Sequence, residues 1–546
     1  MTKQISVFLF IAFFALGLLV FRVGDIPLFE PDEGRYANVS QEMLMSQNWL
    51  VPKKNGFAHL HKPPLTYWWM ALSQKVFGMN EMAVRFPNVL FGVGVVLLVG
   101  GICLRLGRPI EAMLSMLIVL AHPIFAFITR LATADIGLVF WVTLSLFFFV
   151  SFRTTQKGWY LILTYLALGA VMMAKGPVGL LLYFFSILPF LIFIQSPVKL
   201  HCGSHALGVL VFVAVGLSWY IWAVMKIDGL LDYFIFFQTA RRISGKDVHC
   251  QSIAYFIPVF LGAFMPWSLF LPALIRDWWN KKLPKKDRRF VSWVAVWSVL
   301  IFLFFSVIRS KLASYILPMT VPFSIWTAVY FSKRIFEKDL KDRFFVTTVV
   351  LTALTFWAAG IGFGIFAEFF ITERLIGLRP MFFTYAFMLP ILGLVLLFWV
   401  YKRKLFPLFA TLLIGVYLIY FNLWNGLSKV GIYKNVKSYA ETIAEMRKPD
   451  EPVIAYQKLL LGLPYYLKER VCLVSVGIEK QFTAKETVDH LFYDDKDDIR
   501  KFINDHKRCF ILTKESDGKV LEKTYGKKIK TLQKGNKLAL YVSVPG

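Results

Sequence analysis

Apolar runs recur along this chain, each about 18 to 22 residues long and so able to cross a hydrocarbon core of roughly 30 Å as a helix. They fall near 5–24, 86–104, 111–129, 134–152, 159–174, 177–195, 204–225, 254–275, 290–308, 313–332, 344–366, 381–401 and 405–425. The pattern predicts an α-helical polytopic membrane protein with about 13 transmembrane helices. The first run follows Lys3 and ends without a small-residue cleavage site, so it reads as a retained helix and not as a removed secretory signal.

Composition matters here through charge. Of 546 residues 57% are hydrophobic and only 17% charged, yet the formal net charge is +27. In a soluble protein that excess would point to nucleic acid. Here the basic residues sit mainly in short loops between the apolar runs: Arg105 and Arg108, Arg153 and Lys157, Lys199, the stretch 281–289, the stretch 333–343, and Lys402-Arg403-Lys404. With Lys3 cytoplasmic, alternation puts every one of these loops inside, as the positive-inside bias requires. The charge therefore records topology, no nucleic-acid partner is expected, and an odd number of spans leaves the C-terminus outside.

Two outer segments are long, 25–85 and 226–253. The first holds Tyr67-Trp68-Trp69-Met70, which suits helices lying at the interface with amphipathic rings at headgroup depth. From about Tyr433 the apolar runs shrink to strand length (Val453–Tyr456, Val471–Val476, Cys509–Thr513, Leu538–Val542) and alternate with polar, helix-like segments. This predicts a membrane domain over 1–432 and a small outer α/β domain over 433–546. The five cysteines, Cys103, Cys202, Cys250, Cys472 and Cys509, show no zinc-ligand spacing. Cys472 and Cys509 lie in two of the predicted strands, where a disulfide and a pair of reduced core cysteines are both compatible with the sequence.

The exceptions to the positive-inside rule locate the candidate site. Asp32, Glu33 and Arg35 follow the first span, Lys62 lies farther along that segment, and Arg130 and Asp135 separate the third and fourth spans. Lys175 precedes Gly176-Pro177, Arg241 and Arg242 stand with Lys246, and Arg309 and Lys311 precede Tyr315. Ionisable groups at membrane depth cost several kcal/mol unless paired or solvated, so they commonly line a cavity or substrate path. Several cations with a few carboxylates at one face predict one cavity for an anionic lipid and an attacking acceptor.

Each residue also has a plainer reading. Asp32 and Glu33 equally suit a helix N-terminus, and Lys62 suits snorkelling at the interface. Arg130 and Asp135 equally suit a structural ion pair across a helical hairpin. Lys175 suits a helix end, Arg241-Arg242 a solvated loop, and Arg309-Ser310-Lys311 lipid headgroups. His59, His61 and His249 read more readily as hydrogen-bonded side chains than as metal ligands. The set, and not any one member, carries the functional reading.

Glu30-Pro31-Asp32-Glu33-Gly34-Arg35-Tyr36-Ala37, with Gln41-Glu42-Met43 and Trp49-Leu50-Val51-Pro52, resembles the first outer loop of GT-C glycosyltransferases. The closest resemblance is to the lipid A 4-amino-4-deoxy-L-arabinose transferases of the ArnT type and to bacterial protein mannosyltransferase-like enzymes. Further matches follow in the same order: Lys62-Pro63, Lys175-Gly176, the segment from Arg242 to Pro258 leading to Pro266-Trp267, and Ser310-Lys311-Leu312-Ala313-Ser314-Tyr315-Ile316-Leu317-Pro318. The lipid A enzymes usually carry an acidic residue before the lysine, where this chain has His61; His-Lys-Pro-Pro is commoner in the broader group.

The resemblance implies sugar transfer from an undecaprenyl-phosphate carrier to lipid A or another envelope acceptor, at the outer face of a bacterial inner membrane. It implies that Asp32 is the essential loop aspartate, that Asp135 is a second carboxylate, and that Lys62 and Arg242 meet the carrier phosphate with Tyr315 nearby. Charge and neighbourhood add Glu33 to the carboxylates, and Arg241, Lys311 and Lys175 to the phosphate-binding cations. Arg35, Tyr36 and Arg130 complete the candidate set. No motif demands a cofactor, and a divalent metal beside the carboxylates stays open.

A lipid phosphate leaves readily where fixed cations stabilise its growing charge, and Asp32 would orient or deprotonate the acceptor on the opposite face of the sugar, giving inversion. A transporter is the main rival, but such chains commonly show internal repeats and midplane sites, and neither is apparent in this sequence. A scaffold bearing the outer α/β domain is the second rival, distinguished by whether 433–546 is dispensable for transfer.

Overall fold

A computed structural model describes residues 2–194, 201–240, 250–279, 284–337, 342–371, 373–430, 436–478, 480–505, 508–535 and 537–543. The chain divides into two compact units. One comprises Met1–Arg22 and Asn88–Gly426, the other Val23–Pro87 and Leu427–Gly546. This differs from the division at residue 432 that composition predicts, because the outer segment after the first helix packs with the C-terminal residues.

The first unit is helical. It begins with α1 (Thr2–Val20); the labels continue across both units as α2 (Asp32–Ser46), α3 (Leu65–Phe77), α4 (Glu81–Arg105), α5 (Pro109–Leu120), α6 (Pro123–Thr129), α7 (Asp135–Thr155) and α8 (Trp159–Lys175). Among the described residues seven helices are long and apolar enough to cross a membrane, or nine if each of two bent pairs is one span. The bends are 67° between α5 and α6, where Pro123 opens α6, and 109° between Ile253–Ala263 and Trp267–Trp279. Proline cannot donate to the preceding turn, so the axis breaks there.

Three further apolar helices, Gln4–Val20, Trp159–Lys175 and Val178–Phe193, are shorter. The predicted span at 313–332 is divided between a 3₁₀ turn, Ala313–Met319, and the helix Thr320–Glu337. That helix is surrounded by protein and buries Thr320, Ser324, Thr327 and Ser332 beside its apolar residues. A helix enclosed in this way can carry hydroxyls that return their hydrogen bonds to its own backbone, as Ser324 and Thr327 do. Outward-facing Phe10, Phe13, Ile361, Phe387, Ile391 and Phe406 stay exposed, as a lipid-facing surface requires.

The second unit is α/β. Its six-stranded sheet comprises β3 (Val453–Tyr456), β4 (Cys472–Val474), β5 (Phe492–Tyr493), β6 (Phe510–Lys514), β7 (Ile529–Lys534) and β8 (Leu538–Ser543), in the order β5-β4-β3-β6-β8-β7. β5, β4, β3 and β6 run parallel, and β8 pairs antiparallel with β6 and β7. Alternate residues feed two cores. Val453, Ala455, Leu473, Phe510 and Leu512 face Tyr439, Ile443 and Leu463; Ile454, Tyr456, Val474 and Ile511 face Ile499, Phe502 and Leu521.

Cys472 and Cys509 are both free. β3 lies between β4, which begins at Cys472, and β6, which Cys509 immediately precedes, so two strand spacings of about 4.8 Å separate them, beyond the reach of a disulfide.

The outer segment enters this core through a hairpin, β1 (Lys53–Lys54) and β2 (Phe57–Ala58). Asn55-Gly56 makes its turn with φ of 49° and 84°, the left-handed pair a two-residue hairpin demands. Asn55 exchanges hydrogen bonds with the backbone of Val471 at 2.8 and 2.9 Å, and Phe57 joins the apolar cluster of Val436, Tyr439 and Leu473. Arg470 grips Glu42 through two bonds of 3.0 and 2.9 Å, and Lys437 pairs with Glu81 at 2.8 Å.

Candidate functional site

In the α/β unit the candidate residues gather at the start of α2. Pro31 precedes the helix, and Asp32 and Glu33 occupy its first turn, where the helix dipole favours carboxylates. The two acids then diverge. The Asp32 side chain is 58% exposed and meets Arg35 at 2.5 Å. Glu33 points inward: its two oxygens accept from Arg85 Nε at 2.8 Å and Nη2 at 2.6 Å, with both side chains 2% exposed. The Phe29 N–H also donates to Glu33, at 3.0 Å, and Arg85 donates to the carbonyls of Val23, Ile26 and Pro27. Glu33 is thus a structural clasp for the chain leading into α2, which leaves Asp32 as the outward carboxylate of that turn.

Beside Asp32 lies a positively charged cluster. Lys62 donates to the hydroxyl of buried Tyr36, and its ammonium lies 5.0 Å from that ring's centroid. Tyr36 packs on Tyr67 at 5.4 Å, and His59 on His61 at 4.6 Å. Burial holds the His59 imidazole well below its usual pKa, and Lys54, His61, Arg35 and Lys62 push in the same direction. A neutral His59 amid cations leaves net positive charge next to an exposed carboxylate, which suits an anion and an acceptor hydroxyl or amine. Glu30, just before Pro31, is half-buried as a residue but has a carboxyl oxygen, Oε2, sealed from solvent. Burial raises its pKa to about 7 against the opposing pull of the Gly462 and Leu461 amides, Lys458 and Arg35.

In the helical unit the sequence places Asp135 at the first residue of α7 and Lys175 at the last of α8, each at the helix end its charge prefers. Gly176, with φ of 81°, lets the chain leave α8. Lys175 and Asp135 form an ion pair, and the ammonium lies 5.5 Å from the Tyr315 ring centroid. Asn88 fixes the approach to α7 by donating to the Leu131 and Thr133 carbonyls at 2.5 and 2.7 Å.

Lys311 is buried and donates to the Gln251 carbonyl at 3.1 Å, while the Gln251 N–H donates to the Arg309 carbonyl at 3.0 Å. Arg309 and Lys311, with Cys250, Gln251, Ile253, Ser306 and Val307, line a cavity of about 460 Å³.

Arg130 has a different place from the hairpin ion pair that the sequence allows. It donates to the Leu19 carbonyl at 2.8 Å and its guanidinium lies 4.2 Å from the Trp424 ring centroid. It therefore satisfies an orphan carbonyl at the end of α1. Arg241 and Arg242 lie outside the described residues. Two residues that sequence reasoning passed over are structural keys: Glu30, and Arg85. The signal for Arg85 is an arginine inside the apolar stretch Ala83-Val84-Arg85-Phe86, where a charge needs a partner. Among the described residues no group of three or more His, Cys, Asp or Glu side chains is arranged to hold a metal ion. Asp32 and Asp135 each meet a cation, Arg35 and Lys175.

The whole fold matches the crystal structures of ArnT from Cupriavidus metallidurans. With the form bound to undecaprenyl phosphate the TM-score is 0.80 at 20% identity, covering 98% of each chain. With the apo form it is 0.80 at 21% identity, covering 100% of this chain and 99% of the other. The chain therefore shares the fold of those structures, and its long apolar helices are those of a multi-pass membrane protein.

A family profile described as dolichyl-phosphate-mannose-protein mannosyltransferase matches residues 5–233. An uncharacterized protein of Aquifex aeolicus is 30% identical over 353 residues, 64% of this chain and 68% of its own length. An undecaprenyl phosphate-alpha-4-amino-4-deoxy-L-arabinose arabinosyl transferase of Pseudomonas fluorescens is 31% identical over 307 residues, 55% of this chain and 54% of that protein. The match thus spans about half the length of that relative. The chain belongs to one family with the Aquifex aeolicus protein, and over about half its length it is similar to the arabinosyl transferases.

Proposed function

We propose that the chain transfers a sugar, of the 4-amino-4-deoxy-L-arabinose kind, from undecaprenyl phosphate to lipid A, with inversion at the sugar carbon. The supporting observation is the first turn of α2: Asp32 stands exposed while its neighbour Glu33 is consumed by Arg85, and the Lys62–Tyr36 cluster supplies cations beside it. In this reading Lys62 meets the carrier phosphate and strengthens its hold as negative charge grows on the leaving oxygen. Asp32 aligns the acceptor and, where that is a hydroxyl, takes its proton. A lipid A phosphate is already ionised near neutral pH and needs alignment alone.

Lys175 and Tyr315 are proposed as donor contacts, with Asp135 holding the lysine in place. Arg241, Arg242 and Lys311 stay with them as proposed phosphate contacts. The proposed setting is a bacterial inner membrane, with the N-terminus cytoplasmic and the α/β domain in the periplasm.

A protein or another envelope glycan is the second acceptor reading, favoured by the mannosyltransferase profile over residues 5–233 and by His61 before Lys62. Mass spectrometry of lipid A and of envelope glycans, with and without the gene, decides between them. An aminoarabinose addition lost from lipid A supports the first reading. Unchanged lipid A with a lost protein glycan overturns it.

A further inference from the structure

Glu30 stands two residues before Asp32, and its Oε1 accepts the backbone N–H of Gly462. Gly462 opens the short helix Gly462–Leu467, which follows the carboxyl end of β3. The strand order reverses at β3, with β4 and β5 to one side and β6 to the other. In open α/β sheets the crevice outside such a reversal is where ligands bind. Here a side chain of the same protein fills that place.

The fit is close from two directions. A Cβ built on Gly34 or on Gly462 would come within 3.0 Å of Glu30 Oε1, nearer than side chains tolerate. The neighbouring backbone is hung from the same elements. The Leu28 N–H donates to the Tyr466 hydroxyl at 2.9 Å, and Tyr466 belongs to the helix that Gly462 opens. The Glu33 and Gly34 N–H groups donate to the Phe29 carbonyl at 3.0 and 3.4 Å, which sets the first turn of α2.

We infer that Glu30 is a positioning residue: seated at the strand-order reversal of the C-terminal sheet, it fixes the first turn of α2 and with it the direction in which Asp32 meets the acceptor. The inference rests on the role proposed for Asp32. It makes the C-terminal domain part of the machinery that aims the carboxylate.

The test compares full-length wild type, Glu30→Ala, Glu30→Gln and Gly462→Ala in detergent. Two quantities are measured: transfer kinetics from a purified undecaprenyl-phosphate-linked sugar, and amide hydrogen exchange over residues 28–36. Glu30→Ala and Gly462→Ala are each expected to lower kcat by about 10- to 100-fold, the scale of a misplacement near 1 Å, with donor KM within about twofold. A variant that combines Glu30→Ala with Gly462→Ala should be little worse than either single, because both break one contact. Glu30→Gln should keep the rate within about threefold, since its amide oxygen still accepts from Gly462. The amides of Glu33 and Gly34 should exchange faster in both alanine variants.

Folded alanine variants with wild-type kcat overturn the inference, as does a Glu30→Gln loss equal to that of Glu30→Ala. If the wild-type protein transfers nothing from that donor, the proposed reaction fails on its own account. The exchange arm then decides the anchoring, and protection unchanged on removing Glu30 overturns it.

Discussion

Lys175, the last residue of α8, is clasped by Asp135, the first residue of α7, and turns its ammonium toward the ring face of Tyr315 at 5.5 Å. The carboxylate sits at a helix N-terminus and the ammonium at a C-terminus, so each helix dipole favours the charge it carries. In its proposed role as a donor contact, a cation held in this way is oriented before the donor arrives, which reduces the side-chain entropy lost on binding an anion.

That arrangement makes the ring of Tyr315, rather than its hydroxyl, the feature that matters to Lys175. Tyr315→Phe is expected to leave donor KM within about threefold, whereas Tyr315→Leu removes a cation–π contact and raises KM by about 3- to 30-fold. Steady-state kinetics with the purified lipid-linked donor check this. A phenylalanine variant as impaired as the leucine variant would show that the hydroxyl itself contacts substrate.

Asp32 and Glu33 are adjacent in sequence and should separate completely in experiment. Asp32→Asn is expected to lower transfer by about 100-fold or more, the scale of a misaligned acceptor or, for a hydroxyl acceptor, of a lost general base. It should leave the melting temperature almost unchanged, because an exposed ion pair such as Asp32–Arg35 contributes about 0 to 1 kcal/mol. If Asp32→Asn transfers sugar at the wild-type rate, Asp32 is not the reacting carboxylate.

Arg85→Ala should behave in the opposite way. It strands Glu33 without its buried partner, and breaking such a pair costs about 3 to 5 kcal/mol. Thermal unfolding in detergent should show a large fall in melting temperature. Glu33→Gln, which keeps a hydrogen-bonding oxygen toward Arg85, should be milder and should retain near-normal kcat in the folded fraction. A folded Glu33→Gln protein without activity would return Glu33 to the reacting groups.

Glu30 gives the α/β unit a pH dependence of known sign. Its carboxyl is raised to about 7 by burial, from an ordinary value of 4.5. The fold therefore prefers the protonated form, and the stability this contributes is full below about 4.5 and is lost as pH rises through about 7. The difference corresponds to about 3 kcal/mol. Melting temperature should therefore fall between pH 5 and pH 8 by more in wild type than in Glu30→Gln. Parallel profiles for the two proteins would show that Glu30 does not titrate in this range.

The membrane class and the core strands were legible because they depend on local pattern. Apolar length marks the spans, and alternation marks β3, β4, β6 and β8. The two-residue β5 and the edge strand β7, with lysines at Lys530 and Lys534, carry too little apolar signal to be read. The motif around Asp32 was legible as a motif, but the division of labour within it was not. Whether Asp32 or Glu33 faces outward depends on Arg85, 52 positions beyond Glu33. Likewise, that Arg130 serves Leu19 and Trp424, and not Asp135, depends on which helices pack together, which local periodicity does not encode. Arg241 and Arg242 lie outside the described residues, so their part rests on the motif alone.

The Asn55-Gly56 hairpin and Phe57 find their core only among residues from Val436 onward. During synthesis, the segment Val23–Pro87 therefore emerges long before its partners, with the whole of Asn88–Gly426 made in between. At ordinary translation speeds that interval is on the order of tens of seconds. Throughout it, Phe57 and the β1–β2 backbone are uncovered, so the nascent loop is open to proteases and chaperones until the last strands arrive. A premature stop near residue 430 would then do more than delete a tail: it would leave the first loop permanently without its core.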